Sequence, residues 1–183
     1  MRLLLILLIA SPLTAADHAV RFTAPAYFLP PFKTIVVTKA GEPGPGQPKH
    51  AAIASNSKLN QEVRLTTDGP FDVWLVPTDG LPVKAVAGLT AKESTEVKLN
   101  DHLGVIRVRS ADQPRGKLLV TPHQDPGPEG KGHTVIQSAS DTRAELAVPP
   151  GDYAVWVVPA TGARARRIAD KVRVQAGKTA TVE

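Results

Sequence analysis

The chain has 183 residues, 42% of them hydrophobic and 4% aromatic, with 14 glycines, 17 prolines, no cysteine and a formal net charge of +5. So many breakers exclude a helical bundle, and without a triplet period they exclude collagen, leaving an all-β fold rich in turns. Without a thiol there is no disulfide framework, thiolate metal site or cysteine nucleophile.

Arg2 gives the chain a positive start, Leu3 to Ala10 is continuously apolar, and Ser11-Pro12-Leu13-Thr14-Ala15-Ala16 closes the run with a breaker and small residues. This pattern reads as an export signal over residues 1–16, cut before Asp17. Eight apolar residues fall short of the roughly 20 that span a bilayer, so a retained anchor is the weaker reading and no transmembrane span is expected in the mature chain. The expected location is secreted, periplasmic or extracellular. A bacterial source fits a secreted chain with neither cysteine nor an Asn-x-Ser/Thr acceptor.

Basic and acidic residues are interspersed in the body: nine against eight over residues 17–100 and twelve against nine over 101–183. The densest cluster, Arg164, Arg166 and Arg167, is short and has no interleaved aromatics to stack on bases, so nucleic acid is not an expected partner.

The body is a tandem duplication. Val37-Thr38, Glu42-Pro43-Gly44-Pro45, His50, Ile53 and Ser55 recur 83 residues later as Val120-Thr121, Asp125-Pro126-Gly127-Pro128, His133, Ile136 and Ser138. Further on, Gly69, Phe71, Val73-Trp74-Leu75-Val76-Pro77 and Gly80 recur at an offset of 82 as Gly151, Tyr153, Val155-Trp156-Val157-Val158-Pro159 and Gly162. Two modules follow, residues 17–100 and 101–183.

Period-two alternation predicts strands near 19–23, 33–38, 51–54, 60–65, 71–76, 83–90 and 94–99 in the first module. The second should have them at 104–109, 117–121, 134–138, 142–148, 152–158, 166–174 and 179–182. Seven short strands per module, separated by Gly/Pro turns, predict tandem antiparallel β-sandwiches of Ig-like or transthyretin-like type. Pro25, Pro30 and Pro31 confine the chain between the first two strands to an edge or loop.

Val148-Pro149-Pro150-Gly151-Asp152-Tyr153 and Gln175-Ala176-Gly177-Lys178-Thr179 resemble the turns of the carboxypeptidase-regulatory-like, or transthyretin-like, β-sandwich family. The first module departs from that pattern with Asp68-Gly69-Pro70-Phe71 and Ala91-Lys92-Glu93-Ser94-Thr95. The resemblance covers about the last 35 residues of each module. It implies a non-catalytic accessory, adhesive or scaffolding module with no catalytic residues to carry over.

Enzyme signatures are mostly missing: there is no nucleophile elbow, phosphate loop or zinc-protease helix. The strongest metal candidate is the loop carrying His123, Asp125, Glu129 and His133, two imidazoles and two carboxylates suited to a divalent ion such as zinc. The first module has Ala40 and Gly46 at the places of His123 and Glu129. That loss favours a polar inter-strand loop ending in a histidine, His50 or His133, that bonds to backbone. Neither a cofactor nor an enzyme activity is expected.

Trp74 and Trp156 fall on the strand face opposite Phe71, Val73 and Leu75, or Tyr153, Val155 and Val157, with Val76 and Val158 beside them. This apolar outer face is either covered, by residues 27–29 or by the other module, or is a binding face for a protein or glycan partner at the cell envelope. The expectation is an exported, non-enzymatic binding or structural accessory. A carbohydrate-binding module using Trp74 and Trp156, or a metal-binding protein, stands as the alternative.

Overall fold

The computed structural model describes residues 18–66, 69–91, 94–109 and 115–183. The expected export signal and its cleavage point lie outside them, as do Asp68, Lys92 and Glu93 of the first module's turns.

The first module has β1 (His18–Thr23), β2 (Phe32–Lys39), β3 (Ala54–Asn56), β4 (Glu62–Leu65), β5 (Pro70–Pro77), β6 (Val83–Thr90) and β7 (Ser94–Lys98). A 3-10 turn at Leu99–Asp101 leads to β8 (Gly104–Val108), β9 (Gly116–Pro122) and β10 (Gln137–Ala139), then β11 (Glu145–Val148), β12 (Gly151–Pro159), β13 (Arg166–Val174) and β14 (Thr179–Val182). The protein is all-β, two sandwiches in tandem. In the first, a three-stranded sheet ordered β4-β1-β7 backs a four-stranded sheet ordered β3-β2-β5-β6. The second repeats the plan with β11-β8-β14 and β10-β9-β12-β13. Pairing is antiparallel except where first and last strands meet, β1 with β7 and β8 with β14.

Alternation makes these strands. Glu62-Val63-Arg64-Leu65 points its charged residues to solvent and its apolar ones inward, because successive side chains leave a strand on opposite faces. Phe71, Val73 and Leu75 fill the first core beside Val20, Phe22, Ile35 and Leu65. Tyr153, Val155 and Val157 fill the second beside Ile106, Leu118 and Val120. Burial of each such side chain contributes about 1.5–3 kcal/mol.

β3 and β10 begin about three residues later than the sequence pattern suggests. Ile53 and Ile136 each donate a single backbone bond, to Val37 and Val120 at 2.8 Å, before the ladder starts.

The modules are joined by more than the chain. Leu103 and Ala147 of the second module belong to the first module's core, which also holds Leu99 of the 3-10 turn. The turn between β5 and β6 lies on β10: Leu81 donates its backbone N–H to Gln137 Oε1 at 2.7 Å, and Gln137 Nε2 donates to the Leu81 carbonyl at 2.9 Å. The Gln137 amide thus acts as one rung of a backbone ladder. Asp79 Oδ2 accepts from Ser140 N at 2.6 Å and Ser140 Oγ at 2.8 Å. Gly80 makes this approach possible, since a Cβ there would sit 2.1 Å from the Ser138 carbonyl oxygen.

Candidate functional site

Each module's four-stranded sheet carries its tryptophan on the face away from the core. Trp74 pairs with Val36 on β2 and Lys84 on β6; Trp156 pairs with Leu119 on β9 and Arg167 on β13. Directly paired residues share a face, so a cation lies beside each indole. Lys84 Nζ is 4.8 Å from the centroid of the Trp74 ring, and Arg167 Cζ 4.4 Å from that of Trp156. Two register shifts at the same places in β5–β6 and β12–β13 set these pairings.

The repeated threonine receives the indole N–H: Trp74 Nε1 donates to Thr38 Oγ1 at 3.2 Å and Trp156 Nε1 to Thr121 Oγ1 at 3.1 Å. Both threonines are fully buried. The repeated Pro-Gly-Pro then lies on the ring. A Cβ on Gly44 would meet Trp74 Cη2 at 2.5 Å, and one on Gly127 would meet Trp156 Cη2 at 2.3 Å. Only a residue without a side chain fits between loop and indole, and Gly127 also holds the left-handed φ of 90°. The cover is therefore the module's own loop, not the residue 27–29 segment and not the other module. Trp156 is 9% exposed, packed with Leu119 and Ala154 and flanked by Val135, Val158 and Ala165. Trp74, Val76 and Val158 are half-buried.

Different carboxylates hold the two loops. In the first module Asp72, 2% exposed, accepts from Gly41 N at 3.1 Å, Gly88 N at 3.0 Å and Lys84 Nζ at 2.6 Å. Burial pushes its carboxyl up, but the bonds from Lys84, Gly88 and Gly41 outweigh that and hold it below the usual carboxylate value. In the second module Ala154 takes that place, 82 residues on. There Asp125, from the loop itself, accepts from Gly127 N at 2.8 Å and Thr134 N at 2.6 Å.

The metal candidates do not converge. His123 donates through Nδ1 to the Asp170 carbonyl at 2.7 Å, His133 turns Nδ1 to the Gly130 carbonyl at 3.4 Å, and Glu129 accepts from Ala165 N at 2.9 Å. With Asp125 bound to loop amides, all four polar side chains brace backbone. Among the described residues no three His, Cys, Asp or Glu side chains come together as a metal site. His50 braces the first loop likewise, Nδ1 facing the Pro43 carbonyl at 3.2 Å.

Several residues that matter were not singled out by the sequence. Gln137 is a polar residue 1% exposed, a burial that only a partner can offset, and its partner belongs to the other module. Asp72 and Lys84 read as ordinary strand charges, and Arg167 as one member of a short basic cluster, until the sheet register is known. Tyr27, counted above with a covering segment, is 97% exposed and lines an open groove with Leu29, Ser57, Arg107 and Glu145.

No protein-family model and no curated protein matches the sequence. Among solved structures, the Bacillus anthracis TIE protein is similar at 10% identity over 91% of this chain and 34% of its own, with a TM-score of 0.30. The chain thus spans about a third of that protein's length, and a likeness so distant says nothing about activity. No helix among the described residues is long and apolar enough to cross a membrane.

Proposed function

We propose that this chain is an exported, non-catalytic accessory protein of a bacterial cell envelope, in which two sandwiches act as one rigid binding or spacing unit. The observation that carries this reading is the clamp of Gln137 on Leu81, with Asp79 on Ser140 beside it. A clamp of side chain on backbone across two modules fixes their angle, which a flexible pair of tethered domains would not need. The similarity to carboxypeptidase-regulatory-like modules points the same way. In the turn that carries the resemblance, Pro149-Pro150-Gly151-Asp152-Tyr153, the tyrosine hydroxyl donates to the Pro149 carbonyl at 2.7 Å.

The tryptophans enter this reading as structure. A glycan ring seated on Trp156 would first have to displace Gly127 and break the Asp125 bonds that hold the loop. Export supplies the test: the full-length gene product expressed in a Gram-negative host should appear in the periplasm or medium with its N-terminus at Asp17. Recovery of intact Met1 from membranes or cytosol would overturn the proposal.

A further inference from the structure

We propose that the groove fronted by Tyr27 at the junction of the two modules binds a neutral glycan chain. The inference rests on the reading of the chain as a binding unit and names the ligand class and the site.

Tyr27 is the starting point. Its side chain is 97% exposed, yet its backbone has φ 60°, the left-handed region that residues with a Cβ normally avoid. The turn is closed by Phe28 N–H on the Pro25 carbonyl at 3.2 Å. Pro25, Pro30 and Pro31, with their fixed φ, stiffen the segment. A glycine would make this turn with less strain, and a ring so exposed returns little packing to the fold. Lys49 and Asn60 share this φ, but Tyr27 alone among the described residues sets an exposed aromatic ring on such a turn, and that ring fronts a groove.

Behind the ring lies a groove of about 640 Å³, lined by Leu29 and Phe32 on the apolar side and by Ser57, Arg107 and Glu145 on the polar side. Arg107 Nε donates to Glu145 Oε1 at 2.7 Å, and both side chains are about one-third exposed. That bond leaves the two guanidinium NH2 groups and the second carboxylate oxygen, which take no further protein partner among the described residues. The wall therefore offers donors and acceptors together without net charge. A sugar ring has the same character: its hydroxyls donate and accept, and its C–H face stacks on an aromatic plane. An anion would meet Glu145, and a cation would meet Arg107. A proline-rich peptide would want a row of exposed aromatic ridges, and among the described residues Tyr27 is the sole exposed aromatic.

The groove takes Tyr27, Leu29, Phe32 and Ser57 from the first module and Arg107 and Glu145 from the second. The site is incomplete in either alone. This gives the rigid joint a use.

The test uses the purified mature chain and an array of neutral oligosaccharides, including cello-, xylo-, manno- and chito-hexaose, with hexagalacturonate and decaproline as contrasting probes. At least one neutral oligosaccharide should bind, with Kd in the micromolar to millimolar range by calorimetry. Tyr27→Ala should weaken it at least about tenfold, as for an aromatic anchor, while Tyr27→Phe should keep most of the affinity. Tyr27→Gly should lose binding yet melt no lower than the parent, which separates a lost site from a lost fold. Absence of binding across the neutral array, affinity that survives Tyr27→Gly, or capture of hexagalacturonate or decaproline at Tyr27 instead would each overturn the proposal. None of these outcomes would touch the export reading, which is decided by the N-terminus.

Discussion

The two modules solve one packing problem with different chemistry. Each must close the outer face of its four-stranded sheet around an indole, and each uses a buried threonine, a Pro-Gly-Pro loop and a cation on the next strand. The first module brings its carboxylate from the sheet, as Asp72, and leaves Trp74 half-buried. The second brings it from the loop, as Asp125, and fills the sheet position with Ala154, so that Leu119, Ala154 and Trp156 form a small second core. What duplication retained is the geometry around the ring; the charge that holds the loop was free to move. The second version is drier, and its tryptophan should matter more.

The largest effect should separate the tryptophans. Trp156→Ala should cost about 3–5 kcal/mol, as for a buried large-to-small change, and Trp74→Ala about 2–3 kcal/mol because its ring already meets water. Urea unfolding of the two variants checks the order; equal losses would erase the distinction between the lids. Next come the lid glycines. Gly127→Ala should cost about 2–4 kcal/mol, from overpacking on the indole plus the left-handed φ, against about 1–2 kcal/mol for Gly44→Ala, where a half-exposed ring has room to give.

Much of this architecture was legible in the sequence. Every predicted strand has its counterpart, because Phe71-Val73-Leu75 and Tyr153-Val155-Val157 alternate cleanly and the Gly/Pro turns punctuate them. The repeated Val-Thr, Pro-Gly-Pro and Trp were each visible, but not that they touch. Gly44 and Trp74 lie 30 residues apart, and only the β2–β5 register brings Thr38 and the loop over the indole. The second module's loop therefore read as a polar loop, with metal binding as the weaker alternative, and its place over the ring is set by the fold. The joint was hidden for a similar reason. Gln137 has Ala54 at its place in the first module, so the duplication itself gave no hint that this residue differs in role.

That joint gives the third prediction. Gln137→Ala removes the partner of the Leu81 N–H and carbonyl and should cost about 1–3 kcal/mol. Its sharper signature is cooperativity: calorimetry should show one transition for the parent and a broadened or split one for the variant. The mirror change, Ala54→Gln, should do neither, since no turn from another module reaches β3 among the described residues. A split in both variants would mean that β3 and β10 are equivalent after all.

The smallest effects come from pH, and the modules should respond at opposite ends of the scale. Asp72 is held below its ordinary value in the fold, so its contribution is complete above the unfolded carboxylate value of about 4 and is lost as pH falls through the folded one. Tyr153 goes the other way: burial raises its phenol above its ordinary value of 10.0. Its contribution is complete below about pH 10 and is lost as pH rises through the folded value, where the unfolded chain ionises first. Phe71 stands at the equivalent place in the first module and cannot ionise. Thermal melts should therefore show a flatter acid limb for Asp72→Asn with an unchanged alkaline limb, and the converse for Tyr153→Phe. Tyr153→Phe should also lose about 0.5–1.5 kcal/mol at neutral pH with the bond to Pro149. If Asp72→Asn leaves the acid limb as steep as in the parent, the first lid does not depend on the Asp72 charge.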